Sequence, residues 1–376
     1  MKIFLFDMDG VLLESRGYHL ALQETVRRMA KALGFGDVTL SPDDIAAFEA
    51  GGITSEWDEA AINSALLLET VWKDQPKREL PLSLALPKSS SPNLRPVPDF
   101  NALARSLSTP DLLSLPPLER AERFFLGADR HTPAQVLILR GLIRGARTAE
   151  RSLTHRTFQE LVLGSAEFAR TYGLPALLDC ESYLLKYDLS NLSPTESARL
   201  QDWMSAPGHA AAVITSRPSR PPAGVFSTPE AELGAALVGL ENIPICGWGG
   251  MCWLGMQRYA DPQTFLKPSP VHTLAGMRMA LGEGQETALA AAADLVETGQ
   301  ATPSWQQLAG AQLSIFEDTP GGIKSLHAAR QVLDGAGIHI ETQYFGIARK
   351  PVKIQALQAN GGQVFPTLVE ALMLMV

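Results

Sequence analysis

Cysteine is scarce in this chain: Cys180, Cys246 and Cys252 are the only three among 376 residues. Three thiols make no disulfide framework, and their spacing contains no CxxC pair of the zinc-binding kind. They read as reduced packing residues of a cytoplasmic protein. Long apolar runs are missing too, and none approaches the ~20 uncharged residues that a membrane helix requires. The chain opens directly into a strand-like run, without a basic leader before an apolar stretch, so no signal peptide is expected. Positive charge is in deficit: 32 Lys and Arg against 40 Asp and Glu leave a formal charge of −8. That balance argues against nucleic acid as the main partner, because a phosphate backbone is held by a basic footprint. Small phosphate esters remain open, since a bound divalent ion supplies positive charge locally. With 45% hydrophobic and 19% charged residues the composition is that of an ordinary globular protein. The length suits one large domain with a second module.

The most informative stretch lies at the start, where Phe4-Leu5-Phe6 runs into Asp7-Met8-Asp9-Gly10. Alternate side chains of an extended segment point the same way, so Asp7 and Asp9 can converge at a sheet rim. Gly10 lets the backbone turn sharply there. Two carboxylates at a buried edge repel each other and are costly to desolvate, which calls for a cation or a shared proton. Magnesium fits, because it takes carboxylate oxygens and keeps room for water and phosphate. Taken alone, the run reads equally well as a strand followed by an acidic turn.

Three further pieces follow in order. Ala211-Ala212-Val213-Ile214 is a strand-like run ending in Thr215-Ser216. Phe265-Leu266-Lys267-Pro268-Ser269-Pro270 puts one lysine before a proline-marked helix start. Leu313-Ser314-Ile315-Phe316 leads into Glu317-Asp318-Thr319-Pro320-Gly321-Gly322, a third strand ending in paired acids and glycines. Nucleophile, hydroxyl, lysine and acidic pair, in this order, resemble the four motifs of the haloacid dehalogenase (HAD) superfamily of phosphohydrolases. The resemblance covers residues 1–20 and 205–376 well and the stretch between only loosely.

The resemblance implies an α/β fold, a Rossmann-like doubly wound parallel sheet, with a large α-helical cap. Residues 1–15 and 193–376 would form the core and 16–192 the cap. It also implies roles. Asp7 would attack phosphorus and form an aspartyl-phosphate. Asp9 would protonate the leaving alcohol and later deprotonate water. Dehalogenases of the superfamily lack an acid at that position, so Asp9 favours phosphate chemistry over carbon–halogen cleavage. Asp7, the Asp9 carbonyl and Asp318 would bind Mg2+, with Glu317 as a further acid. Gly10, Thr215, Ser216 and Lys267 would surround the phosphoryl group, the lysine as its electrostatic stabiliser. Arg217 is a candidate substrate contact. The Glu-Asp form of the last motif resembles the branch holding sugar-phosphate mutases and related phosphatases.

The core half alternates strands and helices as a doubly wound sheet does. Ser193-Pro194-Thr195-Glu196 carries an N-cap, a first-turn proline and a capping-box acid, opening a helix to about Trp203. Helices are expected over 229–240, 271–281, 323–333 and 367–375, and strands over 243–246 and 338–347. An alanine-rich helix near 286–298 reads as an insertion. Between the first two motifs lie about 190 residues, far more than one crossover needs. Helical periodicity marks 18–33, 43–50, 55–72, 117–125, 133–147 and 157–172 within them. Residues 75–100 are rich in proline and serine and read as a long loop or linker.

Two features of the middle segment bear on specificity. Gly51-Gly52-Ile53-Thr54-Ser55-Glu56-Trp57-Asp58 is a glycine turn before a helix, and resembles a segment in caps of some HAD proteins. Trp57 there is a candidate substrate contact; a turn with acids suited to the helix dipole explains the segment as well. Arg140, Arg144, Arg147 and Arg151 are spaced as one helical stripe, either an anion site or a solvated face. The reading that results is a magnesium-dependent phosphatase acting on a small phosphorylated metabolite. A sugar phosphomutase would use the same motifs, and a non-catalytic binding or regulatory protein on this fold is the third possibility.

Overall fold

The computed structural model describes residues 1–76, 96–127 and 130–374. Most of the Pro/Ser-rich stretch expected to be a loop therefore lies outside the described residues. The chain divides into two compact units, one of Met1–Ser15 with Tyr187–Val376 and one of Arg16–Lys186.

The first unit is built on a six-stranded sheet whose adjacent strands are all parallel. In chain order, and including a two-stranded ribbon, its strands are β1 (Lys2–Phe6), β2 (Leu13–Glu14), β3 (Leu189–Ser190), β4 (His209–Ile214), β5 (Ile245–Cys246), β6 (Gln312–Glu317), β7 (Glu341–Ile347) and β8 (Gln363–Phe365). The sheet order is β5-β4-β1-β6-β7-β8. The chain leaves β1 toward β4 and β5, then returns to the other side of β1 for β6, β7 and β8. The crevice beside β1 is thus the topological switch point, where open α/β sheets place their ligands.

Both faces of the sheet are covered, so β1 is apolar without interruption. Ile3 and Leu5 point to one side with Ala212, Ile214, Leu313 and Ile315, under the helices Pro270–Ala280 and Gln285–Thr298. Phe4 and Phe6 point to the other with Val213, Phe316 and Phe345. There Phe316 stacks between Phe6 and Phe345, at centroid distances of 4.8 and 5.0 Å. Truncating Phe316 to alanine would cost about 3–5 kcal/mol by the usual large-to-small penalty.

The alanine-rich helix, expected as an insertion, is instead built into this layer. Ala288, Leu289, Ala292 and Ala293 are buried in the same cluster as Leu274 and Met277. The core half of the chain begins at Tyr187, before the Ser193 start expected. The reason is local: β3 pairs antiparallel with β2, and Asn191 donates to Leu12 O and Val11 O, each at 2.9 Å.

Among the described residues every regular element of Arg16–Lys186 is a helix. Gly17–Leu33, Glu56–Asp74 and Leu153–Leu163 pack on one another. The single helix expected over 157–172 is two, Leu153–Leu163 and Ser165–Tyr172, broken at Gly164 with φ 79°. The helix expected over 133–147 stops at Arg144. Arg147 and Arg151 therefore follow the helix, and the arginine stripe is not continuous. Arg140 and Arg144 pair with Glu122, and Arg147 with Asp58. No described helix is long and apolar enough to cross a membrane.

Candidate active site

The site grows from the carboxyl ends of β1, β4 and β6. Leu5 faces Ile315 in the parallel register, so two residues on, Asp7 comes beside Glu317 on the same face. The Asp7 amide donates to Phe316 O at 2.9 Å, which extends that pairing one step past the strand. Neighbouring buried carboxylates demand a cation, and Lys267 supplies it. Its Nζ lies 2.9 Å from Asp7 Oδ1 and 2.8 Å from Glu317 Oε1, and donates to Ile214 O at 3.1 Å. The lysine thus ties together the ends of β1, β4 and β6.

Electrostatics follow from burial. Desolvation pushes Asp7 above the usual carboxylate range, Lys267 opposes that, and Asp9 and Asp318 reinforce it. Glu317 is raised further, by burial first and by Asp7 next, against the pull of Lys267. For Lys267, burial works against the charge, but Asp7 and Glu317 outweigh it and hold the ammonium form. The lysine is charged.

Asp318 completes the cluster. Asp7, Glu317 and Asp318 each offer a carboxylate oxygen within 4.8 Å of the others. This is an all-oxygen donor set of the kind that suits magnesium. One of its oxygens, the buried Glu317 Oε2, has no hydrogen-bond partner. Lys267 and Lys353 are the ammonium groups paired to these three acids, Lys353 through Asp318. Burial and mutual repulsion raise Asp7 and Glu317, and a divalent cation among the three carboxylates fits the set by favouring their charged forms. Two glycines make room. Gly10 sits at φ 78°, and a Cβ there would fall on the Asp318 carboxylate; a Cβ at Gly322 would overlap Glu317.

Asp9 faces a different environment. Arg217 Nε donates to both of its carboxylate oxygens, at 2.8 and 3.0 Å, and Ser15 donates to it as well. Arg217 Nη2 also reaches Asp188 at 2.9 Å and Ser15 Oγ at 2.8 Å. Burial raises the Asp9 carboxyl, but the guanidinium and the hydroxyl more than offset it, holding it below the usual range. The substrate contact expected of Arg217 requires an open guanidinium. This one is 3% exposed and serves as a clamp.

Thr215 is buried just past β4, where its amide donates to Cys246 O at 3.1 Å and its hydroxyl accepts from Arg217 N at 3.1 Å. Ser216 is exposed. Trp57 belongs to the helical unit, half-buried, with its ring edge toward His155 at 5.5 Å. In the same segment Gly51 O accepts from Arg120 at 2.6 Å and the buried Asp58 pairs with Arg147.

Sequence reasoning missed His272, Asp188 and Lys353. His272 accepts from the Lys267 amide through Nδ1 at 3.2 Å and donates from Nε2 to Cys246 O at 2.8 Å. Burial, then the Lys267 charge, lowers its pKa to about 3, against the pull of the Cys246 carbonyl. The neutral ring locks the lysine loop to the end of β5. Its only sequence signal is its place in the first turn after Ser269-Pro270.

No protein-family model and no curated protein matches the chain. Among solved structures, an X-ray structure of a Northeast Structural Genomics Consortium target aligns with a TM-score of 0.61 and 16% identity. The alignment covers 99% of this chain and 98% of that one, so the two share a fold through their whole length. A phosphatase, Tt82 from Thermococcus thioreducens, aligns at 13% identity over 95% of this chain and 99% of that one. Its TM-score of 0.41 is too low to bear on the reading of this site.

Proposed function

We propose that the protein is a magnesium-dependent phosphatase of the HAD type, hydrolysing a small phosphate monoester through an aspartyl-phosphate. The observation that carries this reading is the Asp7–Lys267–Glu317 cluster with Asp318 beside it, at the switch point of the sheet. Phosphoryl transfer is served chiefly by positioning and charge neutralisation. Asp7, at the end of a rigid central strand, is the nucleophile. Lys267 neutralises charge on the transferring group while orienting Asp7. Thr215, with its hydroxyl at the end of β4, hydrogen-bonds a phosphoryl oxygen. Asp7, Asp318 and the Asp9 carbonyl hold Mg2+, with Glu317 supporting them. The ion supplies neutralisation of the phosphoryl oxygens and orientation for in-line attack.

Asp9 is the acid and base of the cycle. Clamped by Arg217 it is a carboxylate, so protonating a leaving alcohol requires that it first leave the guanidinium and take up a proton from water. The helical unit, inserted between Asp9 and Thr215, is proposed as the cap that recognises the leaving group, with Trp57 as one contact. Phosphate release from p-nitrophenyl phosphate and a panel of phosphorylated metabolites, with and without magnesium, tests the reading. Activity that needs magnesium and disappears in Asp7→Asn is expected; a fully active Asp7→Asn enzyme overturns the mechanism. Adding a sugar bisphosphate as activator separates hydrolysis from mutase chemistry.

A further inference from the structure

A cavity of about 430 Å³ opens in the core unit beside Asp318 and Gly10. This falls in the range of small-ligand sites. Its far side is formed where β7 ends and the helix Pro351–Ala359 begins, and it carries Arg349, Lys350 and Lys353. All three are exposed, in a chain whose overall charge is −8. Glu14 and Asp318 are the acids on the wall. Lys353 is paired with Asp318, while Arg349 donates through Nε to Pro366 O at 3.2 Å. Among the described residues neither Arg349 nor Lys350 has a carboxylate partner. The first-turn amides of the following helix add positive potential to the same wall.

The site shares Asp318 with the candidate magnesium set. With a divalent ion held by Asp318, Lys353 would no longer be needed as that carboxylate's counter-charge and its ammonium could face the cavity. The cations would then outnumber the one remaining acid, Glu14. This geometry suits an anion attached to the molecule whose phosphate sits at Asp7.

We propose that Arg349, Lys350 and Lys353 form a second anion subsite, so that the substrate carries a carboxylate or a further phosphate besides the ester that is cleaved. The inference rests on the phosphatase reading for the first phosphate, and it narrows the substrate class to dianchored esters. Guanidinium and ammonium groups both recognise either anion, the guanidinium by a bidentate fork.

The test compares two ligands of similar size with the magnesium-loaded protein: 3-phosphoglycerate, which carries a carboxylate, and glycerol 3-phosphate, which does not. A sugar bisphosphate is the third arm and separates phosphate from carboxylate as the preferred second anion. The unaltered protein is expected to favour 3-phosphoglycerate or the bisphosphate at least tenfold in kcat/KM. In Arg349→Gln/Lys350→Gln that preference should collapse through KM, and Arg349→Lys should restore part of it. Equal kcat/KM across all three ligands, or a preference that survives the double change, overturns the subsite. Calorimetric titration with the same ligands separates the two readings. If no ester is hydrolysed but binding of a dianchored ligand weakens at least tenfold in the double variant, the subsite stands and the phosphatase reading falls. Equal binding to both proteins, or no binding at all, removes the subsite. A matching thermal melt for the double variant shows that the fold is kept.

Discussion

Arg217 reaches Asp9 across 208 positions of sequence and holds both of its carboxylate oxygens with one nitrogen. The same guanidinium holds Asp188, which stands next to the residue where the chain re-enters the core unit at Tyr187. One side chain therefore joins the acid that follows the first strand to the start of the second core segment. Ser15, bonded to both Arg217 and Asp9, lies at the end of the first segment. The proposed acid–base group is thereby wired to both points where the helical unit is inserted into the core sequence.

Removing that guanidinium takes a cationic partner from two acids, one of them buried. The Asp188 side chain is 1% exposed and that of Asp9 41%, so Asp188 sets most of the cost. Arg217→Met is expected to destabilise the protein by about 3 kcal/mol, the lower end for breaking a buried pair. Arg217→Lys should recover only part, because an ammonium does not reproduce the fork. Asp9 is held below its ordinary range, so its contribution is present above the unfolded value near 3.9 and is lost as pH falls through the folded one. Urea midpoints at pH 7 measure the first effect, and their fall between pH 4 and pH 2.5 measures the second. An unchanged midpoint at pH 7 in the Met variant would rule out the clamp as a stabilising element.

Magnesium should bind the folded protein and stabilise it. At a concentration one hundred times its Kd, a ligand of the native state adds about 2.7 kcal/mol, which a thermal melt detects readily. Asp318→Ala removes one of the three carboxylates in the cluster and should abolish most of that shift. Asp7→Asn should lose phosphate release while keeping its melting transition. A melt that is insensitive to magnesium in the unaltered protein would remove the metal from the proposal.

The strands around the site were legible because each ends in residues whose chemistry stands out against an apolar run. Asp7, Thr215 and Glu317 follow β-type stretches, and the parallel register then brings β1, β4 and β6 side by side. Ser193 and Glu196 form the capping box that the sequence predicts. What stayed hidden depends on long-range pairing. Nothing local to Lys353 points to Asp318, and nothing near Arg217 points to an acid at position 188. The helix Trp248–Arg258 was obscured by its glycines, yet Gly249 is there because a Cβ would run into the Ser219 carbonyl. The helix Phe100–Leu107 was masked by its neighbourhood of prolines and serines, although Asp99 caps it.

His272 supplies a pH test with a definite sign. Its folded pKa is about 3, well under the ordinary histidine value, because burial and the Lys267 charge disfavour the imidazolium. The unfolded chain takes up this proton near pH 6.5 and the folded chain does not. Stability should therefore fall as pH drops from about 6.5 toward 3, by up to about 1.4 kcal/mol per pH unit from this group. In His272→Gln that slope disappears, while the amide can still bond to one of the two backbone groups. Denaturation midpoints at pH 5 and pH 6.5 decide the matter. Parallel shifts in the two proteins would mean that another group carries the acid sensitivity.

Glu59 gives the opposite sign in the helical unit. It lies on the helix Glu56–Asp74, is 1% exposed, and its Oε2 has no hydrogen-bond partner. Burial, with the nearby Glu56, Glu49 and Asp58 charges adding to it, pushes its carboxyl up to about 9. The folded state thus keeps a proton that the unfolded chain releases near pH 4.5. Stability from this group is complete below that value and is lost as pH rises toward 9. Glu59→Gln removes the titration and keeps the shape. At pH 5 the variant should match the unaltered protein or fall slightly below it, since an amide that lacks a partner costs about 1–3 kcal/mol. Between pH 5 and 8.5 the variant should gain steadily on it, so the difference in slope is the diagnostic and the offset is not. Urea denaturation at pH 5, 7 and 8.5 measures that slope. If the two proteins keep a constant separation across the range, Glu59 is ionised in the fold and its burial is answered in some other way.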